Sequence, residues 1–326
     1  MTVEVDLAPN STATTQTRSI AGIVDAHHHL WDLARLPYPW LRPEAPPRPF
    51  GDHAPIKRDY LPDDYRRDTR GIGIAASVHV EAAPGATDPA AETAWLEELR
   101  VSNGVPDASI AHADPASSSI ARDLDAIFSH SGARGVRTGI AWRADSPWKF
   151  ARGPEISRAS GFREGVAEIA RRGCILEVIL LPEQLPEIAE IAAKFPSLTI
   201  IINHLATLQP ELPGVMDVWR NGIRLNAGFR NVFVKISGLW TIARDWNAER
   251  LRDPVRFAVE AFGPERCMWG SNLPIEGLMC PAIRQVEILS RILADIPAAG
   301  RAAVFGGTAA RVYRLATVRS ERHSPE

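Results

Sequence analysis

Eight short β-rich apolar runs alternate with helical patterns along this chain, and polar residues gather where the runs end. Together these observations predict an α/β fold: a (β/α)8 barrel, the TIM-barrel architecture, in a single domain. Strands that alternate with helices pair in parallel through right-handed crossovers. Eight is the number that closes a barrel, and no GxGxxG follows any run to favour an open doubly wound sheet. The 326 residues are 45 % apolar and 23 % charged, ordinary for a globular chain, and a barrel of this kind fills such a length alone.

In chain order, residues 1–20 are rich in Thr, Ser and acids and are expected to be a flexible tail. They lack the charged start and apolar run of a secretory signal, so a cytoplasmic location is expected. The barrel is expected over 21–316. Its first run, 22–26, leads into Asp25-Ala26-His27-His28-His29. Residues 33–64 then carry eight prolines and cannot form a regular helix, so they read as a functional loop over the first strand's end. The second run is 72–80, and Trp95, Leu96 and Leu99 mark a helix over 93–101. After the third run, 109–113, the apolar face of 120–128 gives the next helix. The fourth run, 135–140, is followed by a polar, Gly/Pro-marked stretch over 142–157 that should overhang the barrel mouth. Helical spacing recurs at 162–169, 185–193, 255–262 and 283–293, between runs at 174–181, 198–203, 232–237 and 267–271. Residues 317–326 are expected to be a second tail.

A net charge of −2 with no basic cluster argues against nucleic-acid binding. No apolar stretch approaches the roughly 20 residues of a membrane helix. Cys174, Cys267 and Cys280 form no CxxC pair and no even set, which fits core thiols in a reducing compartment. The expected partner is a small-molecule substrate; a homo-oligomer is compatible with the sequence.

In a parallel barrel, chemistry sits at the carboxyl ends of the strands. His27 and His29, two apart, share one face of the first strand and could together hold one divalent metal or one substrate oxygen. His28 then points outward. His204 ends the sixth run; His79 and Glu81 end the second. Arg137 is a candidate carboxylate holder through paired hydrogen bonds. Lys235, inside the seventh run, needs an ion pair or a site role to offset its burial. Trp31, Trp40, Trp142, Trp240 and Trp269 lie near strand ends and suggest an apolar pocket. His53 and His130 read as solvent-side residues.

The ordered set His27-His28-His29-Leu30-Trp31-Asp32, Gly135-Val136-Arg137, Ile202-Asn203-His204, Val234-Lys235-Ile236-Ser237-Gly238-Leu239 and Met268-Trp269-Gly270-Ser271-Asn272-Leu273-Pro274 resembles the amidohydrolase-related lactonases. That group includes 2-pyrone-4,6-dicarboxylate lactonase, fuconolactonase and sulfomuconolactone hydrolase. The resemblance implies a hydrolase that opens a small lactone or related ester-like bond. His27 and His29 would polarise the carbonyl, and His204 or Glu81 would accept the proton of water. Arg137 would orient a carboxylated substrate; Trp40, Trp142, Lys235 and Trp240 would line the site. Asn272 stands where many relatives carry a metal-binding, proton-accepting Asp, and an amide serves neither role well. With His27 and His29 as the remaining ligands, the resemblance implies one weakly held zinc or manganese, or none. The alternatives are a metal-dependent decarboxylase of an aromatic or unsaturated acid, or a binding protein that has lost catalysis.

Overall fold

The computed structural model describes residues 22–243 and 246–315; the two tails expected from the sequence lie outside these. Eight strands form one parallel sheet in sequential order: β1 (Ile23–His28), β2 (Ile74–Val80), β3 (Ala108–His112), β4 (Ala133–Gly139), β5 (Ile175–Ile179), β6 (Thr199–Ile202), β7 (Val232–Ile236) and β8 (Cys267–Trp269). A helix follows each: α1 (Pro62–Asp68), α2 (Ala91–Asn103), α3 (Ile120–Phe128), α4 (Ser160–Arg171), α5 (Leu185–Lys194), α6 (Val215–Ala227), α7 (Ala248–Phe262) and α8 (Ala282–Ile292). This is the expected (β/α)8 barrel.

Strand residues divide by parity, as the pleat requires. Leu176 and Val178, Ile200 and Ile202, and Val234 and Ile236 pack outward against the helices. Ile175, Ile201 and Phe233 join Val24, Ala26, Val78, Ile110 and Met268 in a separate inner core. Ala309 and Tyr313, from the helical segment after α8, complete that inner core. They approach from the strands' amino-terminal side, where Gly306 lies against Gly22 and Val24.

No β8–β1 ladder is present among the described residues. The seam is closed just beyond β8, where Asn272 N donates to His27 O (2.6 Å) and His29 N to Leu273 O (2.8 Å). Gly270 is needed here, because a Cβ on it would lie 2.5 Å from His27 Cβ. Asp25, fully buried, completes the closure. Its carboxylate accepts from Ser271 N (2.8 Å), Ser271 Oγ (2.6 Å), Tyr65 Oη (3.0 Å) and His27 N (3.1 Å).

The Pro-rich segment folds over the mouth and is tied down along its length. Trp31 and Tyr60 exchange backbone hydrogen bonds, Tyr38 Oη donates to Glu92, and Trp40 Nε1 donates to Ala82 O. His53 corrects the sequence reading, which put it in solvent. It is 1 % exposed, stacks on Trp40 with ring centroids 5.7 Å apart, and its Nε2 donates to Trp40 O. A local apolar cluster of Phe50, Ala141, Trp148, Ile179 and Leu181 joins this segment to the stretch after β4.

Candidate active site

Three imidazoles converge at the carboxyl ends of β1 and β6. The ring centroids of His27 and His29 are 5.1 Å apart, and those of His27 and His204 4.6 Å. The ladder to β2 is irregular between Asp25 and His28, and the strand ends at His28, yet His27 and His29 still meet. His28 turns the other way and stacks on Tyr65 of α1. After β6 the backbone runs through four left-handed residues, His204 to Thr207, with φ between 49° and 62°. Such a run is costly for residues with a Cβ. Here it delivers the His204 ring to the mouth. Gly238 makes the room, since a Cβ there would lie 2.4 Å from His204 Nδ1.

Each ring has a distinct environment. His29 Nδ1 is 2.7 Å from the carbonyl oxygen of Val80, which can only accept, so the ring hydrogen sits on Nδ1. His29 Nε2 faces Asn272 Oδ1 at 3.2 Å, the longer of the two contacts its ring nitrogens make with an acceptor oxygen. His204 Nδ1 is 2.9 Å from Ser237 Oγ. His27 Nε2 is buried without a hydrogen-bond partner. Burial holds all three rings neutral at pH 7. It pushes His204 down to about 3, with Arg137 and Lys235 adding to the shift. His27 and His29 are also driven well below 6.5, by burial first and then by the cations Lys235 and Arg137 respectively.

Two expected site residues are bonded to each other. Arg137 donates through Nε to Glu81 Oε1 (2.8 Å) and through Nη2 to Glu81 O (2.6 Å). Both side chains are nearly buried. This guanidinium, with Glu81 across it, is not a free carboxylate holder, and Arg137 keeps the Glu81 carboxyl below its ordinary value against the opposing effect of burial. Lys235 is fully buried beneath His27 and paired with Glu177 at 2.8 and 2.7 Å, so it lines no open pocket. Trp40 and Trp142 are half-buried at the mouth, and Trp240 is buried.

The sequence reading missed Glu276. It is 1 % exposed, four residues after Asn272, and its carboxylate accepts from Trp240 N (2.6 Å), Thr241 Oγ1 (3.2 Å) and Asn272 Nδ2 (3.2 Å). Burial pushes its carboxyl up to about 7. No motif marks it; only its one-turn spacing from Asn272 could have flagged it.

Burial also drives His28 well below 6.5, and neither of its ring nitrogens has a hydrogen-bond partner. This imidazole stays neutral in the folded chain and gains a proton on unfolding below pH 6.5, so the stability it permits at neutral pH is lost as pH falls. The variant His28→Leu should therefore show a smaller drop in melting temperature between pH 7 and pH 5 than the wild type. Equal drops in the two proteins would show that His28 does not contribute to acid sensitivity.

A neutral, histidine-centred site at the mouth of a (β/α)8 barrel defines the class. The chain belongs to the amidohydrolase family, whose model, described as "Amidohydrolase", matches residues 24–315. It is 33 % identical over 293 residues to the uncharacterised protein y4mH of Sinorhizobium fredii, covering 90 % of this chain and 98 % of that protein. It is 28 % identical over 307 residues to an L-fucono-1,5-lactonase of Burkholderia multivorans, covering 90 % and 96 %. Among solved structures, an amidohydrolase of Burkholderia multivorans with bound zinc superposes with a TM-score of 0.74 at 27 % identity, covering 91 % of this chain and all of that one.

A zinc site needs three or four nitrogen, sulfur or carboxylate ligands. Among the described residues, no group of three His, Cys, Asp or Glu is arranged to hold a metal. At the eighth strand the donor is the Asn272 amide, a weak ligand, and it is already turned to His29, Thr241 and Glu276. The residues present do not fit a resident metal. No helix among the described residues is long and apolar enough to cross a membrane.

Proposed function

We propose that the chain hydrolyses a small lactone by direct attack of water at the carbonyl carbon. The observation that carries this reading is the convergence of three neutral imidazoles, one of which, His27, aims an unpartnered buried Nε2 into the site. His27 meets the carbonyl oxygen and stabilises the charge that develops on it. His204, whose Nδ1 lies 2.9 Å from the Ser237 hydroxyl, a group able to accept its hydrogen, takes the proton of water at Nε2 and returns it to the ring oxygen as the acyl–oxygen bond breaks. His29 has spent its hydrogen on Val80, so it does not share in polarising the carbonyl. With the Asn272 amide it positions water. Glu81 is held by Arg137 and is not the base.

Because Arg137 is engaged by Glu81, the site favours a neutral lactone over a carboxylated one. Trp40 and the apolar cluster around Trp148 supply its outer wall. The test is acid release, followed with a pH indicator, from a panel holding a sugar 1,5-lactone, an alkyl δ-lactone and a pyrone dicarboxylate. Turnover of the neutral lactones above the dicarboxylate is expected. Absence of acid release from every lactone, with carbon dioxide released from an aromatic acid, would replace this reading with decarboxylation.

A further inference from the structure

We infer that Lys235 acts as a positioning residue that fixes the proton on His27, so that this ring turns an N–H rather than a lone pair toward the site. The inference deepens the lactone reading but rests on geometry that needs no substrate. An ammonium has three N–H donors and no lone pair. Lys235 Nζ has three acceptors around it: Glu177 Oε1 at 2.8 Å, Glu177 Oε2 at 2.7 Å and His27 Nδ1 at 3.3 Å. Glu177 is itself held in place, accepting from Asn203 Nδ2 (2.8 Å) and Tyr313 Oη (2.6 Å). The ion pair is buried on every side, so no water competes for the third N–H. His27 Nδ1 must then be bare. A neutral imidazole with a bare Nδ1 carries its single hydrogen on Nε2, the atom left unpartnered in the site.

At His29 the closest contact is on the other nitrogen: Nδ1 lies 2.7 Å from the Val80 carbonyl and carries the hydrogen, while Nε2 faces Asn272 Oδ1 across a longer 3.2 Å. The two histidines of one His-x-His pair therefore hold their hydrogens on opposite nitrogens, set by what lies behind each ring. A divalent metal bridged by both would need lone pairs at both Nε2 atoms. It would also sit on a ring whose far side contacts an ammonium. Lys235 thus commits His27 to donating to a substrate oxygen and works against metal binding by the same pair.

The experiment uses protein labelled with nitrogen-15 in histidine, with long-range proton–nitrogen spectra reporting the tautomer and His27→Gln assigning the signal. His27 is expected as the Nε2–H form in the wild type and as a mixture or the Nδ1–H form in Lys235→Met. Zinc retained after dialysis is expected to be well below one per chain in the wild type and to bind about tenfold more tightly in Lys235→Met. Should that variant fail to fold because Glu177 is left buried and unpaired, Lys235→Met with Glu177→Leu removes both charges and carries the same expectations. A wild-type His27 signal of the Nδ1–H form would overturn the inference, as would equal zinc affinity in wild type and variant. Neither readout involves turnover, so a failure of the lactone assay and a failure of this inference are told apart.

Discussion

If the chain opens lactones as proposed, His204→Asn is expected to lower that turnover by about 10²- to 10⁴-fold, the usual worth of a positioned general base, while the urea midpoint stays near that of the wild type. Asparagine is the informative substitution because it tolerates the left-handed backbone that His204 occupies at φ 53°. Alanine would mix a loss of chemistry with backbone strain. The companion variant Gly238→Ala leaves the imidazole present but drives it out of place, since the added Cβ would fall 2.4 Å from Nδ1. Its turnover should drop comparably, with a stability cost of about 1 kcal/mol or more for a Cβ at φ 65°. Because His204 is neutral down to about pH 3, the activity of the wild type should not fall with protonation of this ring between pH 8 and pH 5. Near-normal turnover of His204→Asn would remove it as proton acceptor.

Asp25→Ala is expected to have the largest effect on stability, about 3–5 kcal/mol, read as a shift of the urea midpoint or a loss of soluble protein. The substitution strands four donors inside the seam: two backbone N–H groups and the hydroxyls of Ser271 and Tyr65. β1 and β8 share no ladder among the described residues, so this edge rests on the Asp25 bonds, the two backbone bonds just beyond β8 and the inner-core packing of Val24, Ala26 and Met268. Asp25→Asn keeps the shape and loses less. A midpoint for Asp25→Ala within about 0.5 kcal/mol of wild type, the scale of a neutral surface change, would show that the seam does not depend on the carboxylate.

The barrel was legible because parallel strands buried on both faces read as continuous apolar runs, and each of the eight runs overlaps a strand. α6 was missed. On α6, Gly222 and Asn226 occupy buried positions, Gly222 because Leu185 packs too close for a Cβ. The placing of His27, His29 and His204 at strand ends followed from topology. Their individual roles did not, because the position of the proton is set by groups distant in sequence, Val80 for His29 and Lys235 for His27, and the His204 ring is held by Ser237. Arg137 shows the same limit. From sequence it could hold a substrate or a neighbour, and Glu81, which the structure places beside it, is far away in sequence. His53 misled because a lone histidine in a Pro-rich segment reads as solvated, whereas stacking on Trp40 buries it.

Tyr38, Trp40 and His53 anchor the Pro-rich segment by separate hydrogen bonds, two of them to the scaffold beside β2 and the third within the segment itself. A roof fastened in this way has to break its bonds to Glu92 and Ala82 before it can lift from the scaffold. Preference among substrates would then be retuned by exchanging the side chains that this ceiling shows to the ligand, and changes to hinge residues within it would leave selectivity where it was.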